Sequence, residues 1–158
     1  MEVKSPAESV VRAAALLAPT RALDLACGSG RHAIWLHQHG WQVTAVDHNA
    51  EAIHQLRLAY PEIDSRVVDL ETDSAVLTPT AYDLIVCWLY HQSDLYPGIR
   101  AATRPGGIVV LSALLDGRFA AQPADLRAHF AGWTILHDDP RVTVSTRSTC
   151  EIIARFDP

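Results

Sequence analysis

The sequence predicts a single α/β domain built on a doubly wound, mostly parallel sheet. Three observations predict it. First, the apolar run Ala22–Leu25 ends in a small-residue turn, Ala26-Cys27-Gly28-Ser29-Gly30, and passes into a helical pattern from Arg31 to His39. Such strand–turn–helix units build this kind of sheet. Second, strand and helix signals alternate from Leu23 to Leu111 with no linker, low-complexity stretch or internal repeat. That order yields parallel strands joined by crossover helices. Third, the runs Val67-Val68, Leu84-Ile85-Val86 and Ile108-Val109-Val110-Leu111 lack polar alternation, as expected of strands covered on both faces.

The elements follow in order. Ser5-Pro6-Ala7-Glu8 reads as a capping box opening a first helix, with proline at its first position, inside an N-terminal segment 1–20. The helix from Arg31 stops at Gly40. A second crossover helix starts near Asn49, carries Ile53, Leu56 and Tyr60 on one face, and ends at Pro61. Asp94 to Thr103 reads as a further crossover helix before the turn Arg104-Pro105-Gly106-Gly107. Beyond Leu111 the pattern changes to a short helix over 123–130, a strand over 133–137 and a last strand over 150–156. We divide the single domain, 1–158, into a ligand-binding half over 21–112 and a second half over 113–158.

Composition narrows the class. A length of 158 residues, 49% hydrophobic and 20% charged, suits one core. The net charge of −5 disfavours a nucleic-acid partner. No apolar run reaches the roughly 18 residues of a membrane span. Glu2 and Glu8 flank the start of the chain where a signal peptide needs a basic region, so a cytoplasmic location is the expectation. Three cysteines without a CxxC spacing read as free thiols. Cys27 in the turn reads as a small residue that fits, with a redox role as the alternative. Among eight histidines, no pair within His32, His37 and His39 has the i, i+4 spacing of a metal site, so packing or surface roles and no metal are expected. The chain is read as a monomer or homodimer, with Trp133 or the last hairpin edge as a contact.

The turn is a nucleotide-type ligand site. Gly28 and Gly30 admit positive φ and close backbone approach, and the turn delivers N–H groups beside a helix N-terminus. Two ligands compete. Gly28-x-Gly30-x-x-Ala33, with Asp47 seventeen residues beyond Gly30, also fits a dinucleotide fingerprint. Asp24 beside the turn would repel a pyrophosphate, whereas S-adenosylmethionine carries a sulfonium and an ammonium there. At 4 Å and an effective dielectric of 20, one such charge pair is worth about 4 kcal/mol before desolvation. The plainer alternative is that Asp24 caps local backbone N–H groups.

The run Leu23-Asp24-Leu25-Ala26-Cys27-Gly28-Ser29-Gly30-Arg31-His32 resembles the first motif of the class I S-adenosylmethionine-dependent methyltransferases, with Ala26 in place of the usual first glycine. Four further segments resemble that family in order: Gln42–Asp47, Ser65–Leu70, Tyr82–Trp88 and Arg104–Leu111. The run Ala26–His32 is similar to small bacterial, tellurite-resistance-type members. The resemblance implies a Rossmann-like, seven-stranded sheet whose last strand enters antiparallel, with Val142 to Ser148 in that hairpin. It implies that Asp24 and the turn residues Ala26, Cys27, Gly28, Gly30 and Arg31 hold the methionine part of the cofactor. Asp47 would accept from the ribose hydroxyls, His48 would cover the adenine, and Asp69 would accept from its amino group beside the Leu70 backbone. Cys87 and Trp88 would close the cleft after the fourth strand. Asp69 also reads as a solvated turn residue, since Glu71 and Asp73 surround it.

Methyl transfer requires an acceptor held in line and, for many acceptors, removal of a proton. His91 is the base candidate, with a helix-start or packing role equally open. Tyr90 and Trp88 either stack on a planar acceptor or line the wall. The loop Asp116-Gly117-Arg118-Phe119 reads as a lid whose Arg118 either attracts an anionic acceptor or is solvated. The segment after the fourth strand lacks the Asn/Asp-Pro-Pro-aromatic signature of amino-methylating nucleic-acid enzymes. The leading expectation is therefore methyl transfer to a small molecule. The alternatives are a non-catalytic S-adenosylmethionine-binding module or partner subunit, and an NAD-dependent oxidoreductase.

Overall fold

The computed structural model describes residues 3–158. Its elements are α1 (Glu8–Ala15), β1 (Arg21–Leu25), α2 (Arg31–Gln38), β2 (Gln42–Asp47), α3 (Ala50–Ala59), β3 (Asp64–Val67) and β4 (Tyr82–Trp88), followed by a 3₁₀ turn over Ser93–Leu95, α4 (Tyr96–Ala102), β5 (Thr103–Leu114), α5 (Pro123–Ala128), β6 (Thr134–Val144) and β7 (Arg147–Arg155). The seven strands lie in the order β3-β2-β1-β4-β5-β7-β6. β1 to β5 pair in parallel, and β7 runs antiparallel between β5 and β6. This is the doubly wound, seven-stranded Rossmann-like sheet expected, with β7 as its antiparallel strand.

The central strands explain the apolar runs. Leu23, Leu25, Leu84, Ile85, Val86 and Ile108–Val110 are all fully buried, because side chains on both faces meet a hydrophobic layer. Val67 departs from the expectation and is 52% exposed. β3 is the sheet edge and ends at Val67, past the cover that buries Ser65 on the same face, leaving Asp69 and Leu70 in the following loop.

Other boundaries moved for identifiable reasons. Ala7, not Ser5, is the N-cap of α1, without a side-chain cap. Its N–H instead donates to Nε2 of buried His32 at 3.1 Å, so Pro6 precedes the helix. The crossover helix after β4 starts two residues late, because the 3₁₀ turn occupies 93–95, and Thr103 already belongs to β5. Trp133 is only 9% exposed: it stacks on Phe156 at 5.2 Å and packs on Phe130, so it offers no free contact surface. Asn49 does cap α3, accepting from the Ala52 N–H at 3.1 Å. Gly107 is dictated by crowding, since a Cβ there would lie 2.8 Å from the Arg104 carbonyl oxygen. Among the described residues no helix is long and apolar enough to cross a membrane.

Candidate functional site

Three cavities open at the carboxyl end of the sheet and meet at Trp88 and Leu89, which line all of them. The meeting point is where the strand order reverses between β1 and β4, the place at which open α/β sheets bind ligands. Leu89 adopts a φ of 58° and Ala26 one of 53°. Both lie in the left-handed region that side chains avoid, a strain that clusters at functional sites.

The first cavity, about 330 Å³, is built on Ala26, Asp47 and His48 on one side and Asp69, Leu70 and Tyr90 on the other. Asp47 ends β2 and is 7% exposed. Its Oδ2 accepts from the Gly28 N–H at 2.9 Å and its Oδ1 from the Asn49 N–H at 2.8 Å. The acid therefore ties the turn after β1 to the start of α3. Exposed His48 sits with Nδ1 3.4 Å from Asp47 Oδ1. Asp69 Oδ1 accepts from the Glu71 N–H at 3.0 Å, a local turn contact at the cavity rim. Tyr90 stacks on Phe119 at 4.5 Å and its hydroxyl donates to Gln92, whose Nε2 donates to the Leu70 carbonyl at 3.0 Å. Burial and the neighbouring Glu71 push the Tyr90 phenol up to about 12. Arg118 spans the mouth and donates to both Glu71 carboxylate oxygens at 2.9 Å. The lid loop is thus closed by an ion pair, and Arg118 does not present a free cation to an anionic acceptor.

The second cavity, also about 330 Å³, lies over the turn, with Asp24, Cys27, Gly28, Arg31 and Lys4 in its wall. Asp24 is 1% exposed. Its Oδ2 accepts from the Ala33 N–H at 3.2 Å, the local bond expected of a capping acid, while the carboxyl also lines the cavity. Burial is the main cause that raises its pKa to about 7; the Ala33 bond opposes the rise and nearby Asp47 adds to it. Burial, then Asp24, pushes the Cys27 thiol far up, which leaves it protonated and suits it to space-filling. Gly30 caps α2 with a φ of 89°, and a Cβ there would meet Leu56 Cδ1 at 2.9 Å. Glycine is needed at this position to pack α2 against α3. His32, 4% exposed, is held neutral, its pKa lowered to about 3 chiefly by burial. It accepts from Ala7 while Arg31 Nη1 donates to the Ser5 carbonyl at 3.1 Å. These neighbouring residues tether the segment before α1 across the cavity.

The third cavity is larger, about 640 Å³, and lies between α1, Arg31, β5 and the β6–β7 hairpin. The sequence places the acceptor beside the segment Trp88 to His91 and in the half over 113–158, but it singles out no site residue of this wall beyond Arg31, nor Leu89's turn or Gln92, because a left-handed leucine and a bracing glutamine carry no pattern of their own.

Three expected residues lie off these cavities: Gly30, at the start of α2, and Cys87 and His91. Cys87 is 3% exposed and packs in the core, its Sγ donating to the Tyr90 carbonyl at 3.4 Å. Alternation along β4 turns it to the opposite face from Trp88. His91 lines none of the three cavities. Its Nδ1 lies 2.9 Å from the Tyr96 hydroxyl, and its ring is 6.1 Å from that of His129. Burial and then His129 lower its pKa. This placement suits the packing role that the sequence leaves open beside the base role. Among the described residues no group of three or more His, Cys, Asp or Glu forms a metal site.

Known proteins place this arrangement. The family model described as "Tellurite resistance protein TehB" matches residues 2–143. "Hemagglutinin 1" of Eikenella corrodens is 30% identical over 138 residues, 76% of this chain and 46% of that protein. "Malonyl-[acyl-carrier protein] O-methyltransferase" of Salmonella typhimurium is 30% identical over 115 residues, covering 68% and 46%. The chain therefore spans less than half the length of these curated relatives. The crystal structure of TehB from Haemophilus influenzae superposes with a TM-score of 0.84 at 22% identity, over 96% of this chain and 63% of that one. The chain belongs to the TehB family, the tellurite-resistance-type branch of the class I S-adenosylmethionine-dependent methyltransferases.

Proposed function

We propose that this protein transfers a methyl group from S-adenosylmethionine to a small molecule. Beside family membership, one observation carries the reading: the cleft divides at Trp88 and Leu89 into two lobes, one based on Asp47 and the other on buried Asp24, with a larger chamber adjoining.

The residues present suit that cofactor. Each Asp47 oxygen accepts one backbone N–H and keeps a lone pair free for a ribose hydroxyl. Ala26, His48, Asp69 and Leu70 then flank the adenine. In the second lobe Asp24 faces the cationic groups, and Lys4 and Arg31 suit a carboxylate. Cys27, Gly28 and Gly30 shape the turn, and Cys87 braces Tyr90 from the core side. A pyrophosphate in the same lobe would face Asp24, which disfavours the nicotinamide alternative. The exposed large apolar side chains, Val3, Leu16, Leu58 and Val67, are scattered, and nothing in them favours a docking module over an enzyme.

When bound, the cofactor supplies a methyl group made electrophilic by its sulfonium. The chain's task is to align an acceptor beside Trp88 and Leu89 and to exclude water. The tethered segment before α1 and the Arg118–Glu71 pair serve the exclusion. Tyr90, held protonated, forms wall and not base. A small acceptor fits the net charge of −5 and a chamber of about 640 Å³.

Calorimetry with S-adenosylhomocysteine tests the reading. Binding in the micromolar range is expected, and Asp47→Ala should weaken it at least tenfold. No binding, or NADH binding in its place, would overturn the assignment.

A further inference from the structure

The third cavity has a floor that strand register alone puts together. Trp88 of β4 pairs with Ser112 of β5, Ser112 with Glu151 of β7, and Glu151 with Asp139 of β6. Residues paired across neighbouring strands point to the same face, and all four line this cavity. Ser112 is 1% exposed, and its hydroxyl has no hydrogen-bond partner. A buried hydroxyl without a protein partner is costly to the fold, and one that lines a cavity is satisfied by a water or a ligand group placed there. Glu151 Oε1 accepts from Ser9 Oγ at 2.6 Å, which anchors the carboxylate and leaves lone pairs on Oε2. Charge in the cavity is balanced. Half-buried Asp139 and Glu151 stand on the floor, half-buried Arg31 in the wall, and exposed Glu8, Arg12 and Arg147 at the mouth, where cations outnumber the single carboxylate. Neither Arg12 nor Arg147 joins an ion pair among the described residues.

We propose that this cavity is the acceptor chamber and that it selects a flat amphoteric small molecule. Its ring packs on Trp88, its amine donates to Ser112 and Glu151 (a hydroxyl in that place donates to Glu151 and accepts from Ser112), and its carboxylate meets Arg12 and Arg147. The assignment rests on the methyltransferase reading, because the chamber matters for transfer only where it meets the cofactor lobes at Trp88 and Leu89. A ligand with only a positive or only a negative group leaves one pole of the chamber unpaired.

The probes are benzoates bearing an amino or hydroxyl group at ring position two, three or four, titrated into protein saturated with S-adenosylhomocysteine. Benzoate and aniline serve as single-pole controls. At least one amphoteric benzoate should bind tenfold or more tightly than both controls. Ser112→Ala and Glu151→Gln should each weaken that binding at least fivefold while S-adenosylhomocysteine affinity stays unchanged. Ser112→Ala should also leave the melting temperature equal or higher, because it removes a buried unpaired hydroxyl; a purely structural serine would not separate binding from stability in this way. Equal binding of probes and controls, or variants that bind like the parent, would overturn the proposal. Loss of S-adenosylhomocysteine binding by the parent protein would instead defeat the methyltransferase reading beneath it.

Discussion

At the residue scale Asp24 dominates. The sequence singles it out by charge and by its place in the first motif; the structure adds that the charge is conditional, because burial lifts its pKa to about 7. An ammonium binds best to the ionised acid, so the affinity of S-adenosylhomocysteine, whose amino-acid end carries one, should rise from pH 6 to pH 8, and Asp24→Asn should flatten that dependence in calorimetry. Stability runs the other way. The folded carboxyl keeps its proton up to about 7 and the unfolded one only to 3.8, so its contribution is complete below 3.8 and is lost as pH rises through 7. His32 acts oppositely: with a folded pKa near 3 against 6.5, its contribution is present above 6.5 and is lost on acidification. What could not be read at this scale was burial and side-chain direction. Cys87 and Trp88 are adjacent in a motif, yet only one reaches the cleft.

At the scale of elements, the turn after β1 was legible because two glycines and a strand–helix transition carry a local signature. The segment after β4 was not, because its direction depends on Leu89 turning the chain in a left-handed step. That turn carries His91 away toward α4 and α5. The expected outcome of His91→Ala is therefore a loss of one hydrogen bond to Tyr96, roughly 1 kcal/mol, seen as a lower melting temperature. On the packing reading the pH profile of methyl transfer should keep its shape; disappearance of an acid limb would assign His91 as the base. α1 shows the same limit. Its capping motif was present in the sequence, but a buried imidazole twenty-five positions away took the N–H.

For the whole molecule, strand alternation and apolar runs were enough to give the layered parallel sheet. They did not reveal which strand was the edge, since Val67 has the same chemistry as a covered valine. Nor did they reveal the aromatic packing beneath α5, where Phe130 is 1% exposed and touches Tyr96 and Trp133. Phe130→Ala should cost about 3–5 kcal/mol, a large part of a total stability of about 5–15 kcal/mol, measurable by denaturant unfolding. The antiparallel entry of β7 has a wider consequence. It makes β6 and β7 one hairpin, added to the sheet beside β5. The walls around Asp24 and Asp47 are drawn from the earlier strands, and most of the third chamber from α1 and this hairpin. Substitutions in the hairpin can then reshape the third chamber while leaving the walls around Asp24 and Asp47 as they are.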